Sequence, residues 1–489
     1  MTFDVLPDDV LLEILNFYVD EDVDEDTDEY FQPPQRVKQR IEAWITLAHV
    51  CRRWRSVVFQ SPHRLNLRLL CTPKTRARDT LDIWPSLPLI IRNFGGVFYH
   101  KLPGFNNIIA ALEHNGRMCQ IKLYDLSISQ LECVTAAMQR PFPELTHLGL
   151  MASHAEPILP DSFLGGTAPR LRSLDLANVP FPGLPKLLLS ATRLVNLDLN
   201  DPGYTPPEVM ATSLSALTSL KYLRLHFQFP QPRPASGLEG LRPPPPPLTR
   251  SILPSLTEIR FKGDSEYLEE ILARIDAPRL DDLRITFFNQ INFDTPQLFQ
   301  FISRRPTLRA PEIGHIAFNF NFEAIIVKFL SLESEYGVLS VQIPFTAEEW
   351  QLSPVKQACT STLPPLSTLQ DLYIFEDRKY PSRGRDDVEN TQWLELLRPF
   401  AAVKNLYLCE KFASRIVPAL QELVSERTTE VLPTLDNIFL EGFQPSGPVH
   451  EGIEKFVAAR QLTSHLVAVS RWDRGPGEEM EWEFYDRYW

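Results

Sequence analysis

Apolar positions between residues 145 and 440 repeat one short phrase: two leucine-like residues three apart, then a third two further on. Leu145, Leu148 and Leu150 set it, followed by Leu171, Leu174 and Leu176, by Leu194, Leu197 and Leu199, and by Leu220, Leu223 and Leu225. It continues through Leu256, Ile259 and Phe261, then Leu280, Leu283 and Ile285. After a less regular interval it returns at Leu369, Leu372 and Ile374, at Val403, Leu406 and Leu408, and at Leu435, Ile438 and Leu440; weaker copies begin at Met118, Ile313 and Val338. The last two apolar positions of each phrase alternate with polar ones, which predicts a short strand with one buried face. Amphipathic stretches between phrases, such as residues 267–275 and 393–397, predict helices. The expected fold is α/β, with successive strands pairing in parallel and each repeat burying its apolar face on the next.

Ahead of the phrases the period changes. Pro7 suits the first helical position, and Asp8 and Asp9 place negative charge at the positive end of the helix dipole. Val10, Leu11, Ile14, Leu15 and Tyr18 then recur at helical spacing. Trp44, Leu47, Ala48 and Cys51 form a second apolar stripe, and Trp54, Val57 and Val58 a third, so three short helices are expected. The first two are separated by an acidic insert, residues 20–34, whose charge density predicts a solvated loop ending at a Pro33-Pro34 break. Three helices of this size bury little surface alone, and such a module gains from a partner.

Residues 61–115 are less patterned; Leu65, Leu67 and the run 87–91 predict strands that begin the array. The proline tract 243–247, within a Pro-rich insert at 230–248, is expected to be a rigid spacer between repeats. Residues 452–470 predict one last helix and strand (Phe456 through Val469), and the acidic–aromatic tail within 471–489 an end cap.

Composition narrows the classes. Hydrophobic residues make 44% and charged residues 23% of the 489, which suits a folded protein. Proline outnumbers glycine 43 to 20, so many short elements joined by rigid turns are expected. A net charge of −13 argues against a general binder of nucleic acid or anionic membrane. No apolar run is long enough to span a bilayer, no secretion signal opens the sequence, and the six cysteines are scattered, so a reduced, intracellular chain in the cytoplasm or nucleus is expected.

Leu6, Pro7, Asp8, Asp9, Val10, Leu11, Leu12, Glu13, Ile14 and Leu15, taken with Leu47, Ala48, His49, Val50, Cys51, Arg52, Arg53, Trp54 and Arg55, resemble the F-box pattern, closest to the F-box-like proteins numerous in fungi. The resemblance covers residues 4–60, and the acidic insert departs from it. Starts at 145, 171, 194 and 220 lie 26, 23 and 26 residues apart, and residues 116–470 resemble the irregular leucine-rich repeats often found after an F-box. The asparagine usual after each strand is mostly missing, although Asn178 and Asn200 lie nearby. The resemblance implies a solenoid with strands on its concave side, and a helical module that binds the Skp-type linker of a cullin–RING ubiquitin ligase. By match, Leu6, Pro7, Val10, Ile14, Leu15, Val50, Cys51 and Trp54 would form or support that docking surface.

Residues flanking the last two apolar positions of each phrase should point away from the core. Early repeats then present Ser173, Asp175, Asn196 and Asp198; middle repeats present Arg224, His226, Arg260, Lys262 and Arg284; late repeats present Tyr373, Phe375, Tyr407 and Phe439. The basic set is expected to receive an acidic or phosphorylated segment of a target protein, with the aromatic set anchoring apolar side chains. No phosphate-cradling loop, dinucleotide fingerprint, zinc-protease helix or nucleophile elbow occurs, so neither catalysis nor a metal or cofactor is expected. The sequence therefore reads as a target-binding adaptor of a ubiquitin ligase; the alternative is a repeat scaffold whose helical module only caps the array.

Overall fold

The computed structural model describes residues 6–19, 34–61, 64–81, 86–93, 104–153, 158–230, 250–288, 295–319, 324–331, 337–344, 352–362, 366–376, 388–423, 430–442 and 447–473. Most of the acidic insert, the Pro-rich insert and the tail from residue 474 lie outside this set. The chain divides into two compact units, Met1–Arg224 and Leu225–Trp489.

In the first unit, helices α1 (Asp8–Val19), α2 (Pro34–Ile41), α3 (Ala43–Ala48) and α4 (Arg52–Gln60) precede the strands. β1 (Leu69–Cys71), β2 (Leu89–Arg92), β3 (Met118–Leu126), β4 (His147–Ala152), β5 (Ser173–Ala177) and β6 (Asn196–Asn200) lie side by side in chain order, all parallel. β7 (Tyr222–His226) follows, and the boundary between units falls within it. Leu148, Leu174 and Leu197 are register partners, as are Leu150, Leu176 and Leu199, and all six are buried. The first leucine of each phrase is buried in the turn that enters the strand. The next residue donates its N–H to the equivalent carbonyl of the repeat before: Arg172 to Thr146, Val195 to Arg172, and Lys221 to Val195, at 2.7–2.8 Å. One spacing of leucines thus fixes both core and register. Asn178 leaves β5 in the left-handed region (φ 56°), where its side chain donates to the Ala152 carbonyl at 3.2 Å.

The second unit keeps the same device and breaks the order once. Its sheet runs β9 (Glu258–Gly263), β11 (Asp282–Phe287), β14 (Val338–Pro344), β13 (Ala324–Leu330), β12 (Ile313–Asn319), β15 (Asp371–Glu376), β16 (Asn405–Leu408), β17 (Asn437–Glu441) and β18 (Ala468–Trp472). β8 (Ser251–Ile252) and β10 (Ile275–Asp276) form a separate parallel pair. The expectation of successive parallel strands fails at β12–β14. β13 is antiparallel to both neighbours, and the three strands lie in reverse chain order between β11 and β15. β14 then pairs in parallel with β11, and β12 in parallel with β15. The helix Glu410–Gln421 packs on β15, β16 and β17, covering one face; the last helix is Pro448–Leu462, as the pattern predicts.

The predicted helices at 267–275 and 393–397 appear as Ser265–Leu272 and Asn390–Leu397. Leu65 and Leu67 lie in the buried turn before β1 rather than in a strand, with Asn66 at φ 48°. The helical module has four helices instead of three: Pro34 opens α2, whose Val37 and Ile41 pack on Leu70 and Ile90 of the sheet.

Candidate interaction surfaces

The helical module has two different faces. Leu11, Leu12 and Leu15 of α1 are buried, as are Trp44, Leu47 and Ala48 of α3 and Val57 and Val58 of α4. Trp44 donates its indole N–H to the Arg68 carbonyl at 2.8 Å, and Glu42 accepts the N–H of Leu70 at 3.1 Å, so α2 and α3 close the free side of β1. Arg53 ties α4 to the start of α1, donating to the Leu6 carbonyl and, at 2.7 Å, to Asp8. The other face of α1 carries apolar side chains at the surface: Val10 is 42% exposed, Ile14 half-buried and Phe17 86% exposed. Val50, at 57%, is exposed as well.

Of the residues matched to the docking pattern, Leu6, Pro7, Val10, Ile14, Val50, Cys51 and Trp54 are therefore exposed or half-buried, and Leu15 is in the core. Cys51 does not extend the α3 stripe as expected. It is the exposed N-cap of α4, its Sγ accepting the N–H of Trp54 at 3.4 Å. Phe17 was not singled out by the resemblance, although it lies three residues after Ile14 and seven after Val10, on the same helical stripe.

On the first unit's sheet, Lys122, Gly149, Asp175 and Asp198 are successive register partners. Arg224 closes the row with a 2.6 Å bond to Asp198. Burial pushes the Asp175 carboxyl up to about 7, the neighbouring Asp198 adds to the rise, and Arg224 and Lys122 oppose it. Arg224 is thus committed to its own unit's acids.

The second unit carries a longer row. Arg260, Arg284, Ser340, Lys328, His315, Tyr373, Tyr407, Phe439 and Ser470 follow one another in register from β9 to β18. Its basic end is partly self-neutralised: Arg260 pairs with Glu258, and Arg284 grips Asp282 at 2.7 Å, each on its own strand. Lys262 has no ion pair among the described residues. At the other end Tyr373 stacks on Tyr407 with ring centroids 4.0 Å apart, and Tyr407 on Phe439 at 4.5 Å. His315 meets Tyr373 edge-on at 4.8 Å, and Trp472 meets both tyrosines edge-on at 5.6 Å. One row away, Asn437 donates to Asn405 at 2.8 Å, and Asn405 to Asp371 at 2.5 Å.

Two of the predicted contact residues are withdrawn by this geometry: His226 is 6% and Phe375 1% exposed, so both belong to the interior. The phrase pattern missed Lys328, His315 and Trp472. His315 lies two residues into a weak copy, Trp472 ends the last strand, and Lys328 sits on β13, which carries no copy at all.

Among the described residues no three His, Cys, Asp or Glu side chains are grouped to hold a metal ion, and no helix is long and apolar enough to cross a membrane. The six cysteines are free thiols, and burial pushes Cys71 and Cys359 up to about 12. No family model matches the chain, and no curated protein matches it.

Proposed function

We propose that this chain is the substrate-recognition subunit of a cullin–RING ubiquitin ligase, an F-box-like protein with irregular leucine-rich repeats. The module docks a Skp-type linker, and the open rows of the repeat sheet hold a target protein. The observation that carries the reading is the division of labour within the module. α2 and α3 cover the sheet edge, while α1 leaves Val10 and Phe17 exposed and Ile14 half-buried. Exposed apolar side chains on one helix face suit a partner groove. The chain itself performs no chemistry in this role; it brings a target lysine close to the ubiquitin carrier.

The test is retention of purified linker by the full chain, beside Val10→Asp and Phe17→Asp variants. Both positions are exposed, so folding is kept and binding is lost. Retention by all three, or by none, sinks the docking half. Closure of β1 by Glu42 and Trp44 favours a second reading, in which the module is only a cap and the chain a scaffold outside any ligase. Absence of linker binding by the folded native chain selects it.

A further inference from the structure

Two side-chain ladders run along the outward face of the second unit's sheet and stop at the same strand. Tyr373, Tyr407 and Phe439 stack with their planes only 6° and 8° apart, at centroid spacings of 4.0 and 4.5 Å. Beside them Asn437 donates to Asn405, and Asn405 to Asp371. The next register positions, on β18, are Ser470 after Phe439 and Ala468 after Asn437. Both are small and exposed, so β18 continues neither ladder. Among the described residues Tyr407 is the only ring in contact with Phe439, which is half-buried.

The amide ladder has a direction. The Asp371 carboxylate accepts, which turns the Asn405 amide nitrogen toward it and the Asn405 oxygen toward Asn437. The Asn437 nitrogen is engaged in turn, and among the described residues its Oδ1 accepts no hydrogen bond. Asn437 too is half-buried. The two ladders therefore end side by side on a flat ring and an unused acceptor, above a floor of Ala468 and Ser470.

What completes both ladders is chemically specific. A ring set on Phe439 at the spacing of the stack lies over Ser470 and gains more than its buried area alone supplies. Asn437 lies two residues back along the strand, roughly 7 Å away, a separation that a stacked ring and one hydrogen bond span together. An aliphatic side chain has no plane to stack, and phenylalanine has no donor. Tryptophan and tyrosine have both.

We propose that this end of the sheet takes a tryptophan or tyrosine of the target protein, its ring on Phe439 and its N–H or O–H on the Asn437 Oδ1. The proposal rests on the target-binding half of the reading above and not on linker docking.

Ligand-observed NMR titration of the full chain with three capped tripeptides, Gly-Trp-Gly, Gly-Phe-Gly and Gly-Leu-Gly, tests it. The tryptophan peptide should bind at least about threefold more tightly than the phenylalanine peptide, and the leucine peptide most weakly. Ser470→Phe sets a ring on Phe439 from within. It should weaken the tryptophan peptide at least about threefold without lowering the thermal midpoint. Asn437→Ala should bring the tryptophan and phenylalanine peptides to equal affinity, a ratio within one protein that partial unfolding does not mimic. Equal binding of the three peptides by the native chain overturns the proposal, as does native affinity in Ser470→Phe. Binding seen only with a variant ending at Asp473 gives the place to the rest of this chain. Binding seen only at concentrations where the chain is monomeric gives it to a second copy. Either result overturns the assignment to a target. Linker retention by the same proteins separates failure of this proposal from failure of the ligase reading.

Discussion

The Glu42 carboxylate accepts the N–H of Leu70 at 3.1 Å, a bond that joins the helical module to the first strand of the sheet. The strand group it satisfies is buried and, among the described residues, has no neighbouring strand on that side. Burial pushes the Glu42 carboxyl up, and the Leu70 bond and Lys38 hold the rise back. Glu42→Ala should therefore cost about 1–3 kcal/mol, the penalty of an unmet buried N–H. Glu42→Gln keeps an acceptor and avoids burying charge, so its loss should be clearly smaller. Urea denaturation of the two variants at neutral pH separates these outcomes.

Asp175 gives a pH dependence whose sign is opposite to the usual carboxylate. Its folded value of about 7 lies above its ordinary 3.8, so between these limits the folded state binds the extra proton. Stability from this group is complete below about pH 4 and is lost as pH rises toward 7. Asp175→Asn removes the loss and should stabilise the chain at pH 8, with little effect at pH 4. Denaturation midpoints measured across that range would show no convergence at low pH if Asp175 were not the group responsible.

Tyr407 is the middle ring of its stack, with Tyr373 on one face, Phe439 on the other and Trp472 against its edge. Tyr407→Ala removes three ring contacts together and should cost about 2–4 kcal/mol. Tyr407→Phe keeps every one of them and should lie within about 1 kcal/mol of the native chain. Thermal unfolding of the two variants checks the difference.

How far the sequence foretells this fold can be argued from single strands. Each of the nine good phrases lies on a strand, because the leucine that turns into the strand and the two that line its inner face are one pattern. β13 was invisible for the converse reason. Residues 324–327 are apolar without alternation and are buried, so no period-two signal marks them. Its antiparallel course is a tertiary fact, visible only in its pairing with β12 and β14. The outward residues were legible as positions but not as chemistry. Spacing places Arg260 and Arg284 on the open face, yet nothing in the spacing shows that Glu258 and Asp282, two residues back, reach their guanidinium groups. The module was the reverse case: its residues were recognisable by resemblance, whereas α2, short and strongly polar, offered only Val37 and Ile41 as an apolar stripe, too little to mark a helix.

That self-pairing changes which substitution tests the basic end of the second unit. Arg284→Glu sets a new acid beside Asp282, so a loss of target binding would mix repulsion within the strand with loss of a ligand contact. Lys262 is half-buried and has no ion pair among the described residues, so Lys262→Glu should change stability by no more than about 0.5 kcal/mol. If an acidic segment lies on this row, that variant should bind a phosphoserine- or glutamate-rich peptide up to about fivefold more weakly at low salt, the worth of one exposed ion pair. The difference should shrink as salt screens the charges. Titration of the native chain and Lys262→Glu with the same peptide at two salt concentrations decides the matter. Equal affinities at low salt would leave the aromatic rings, not the cations, as the attractive part of this surface.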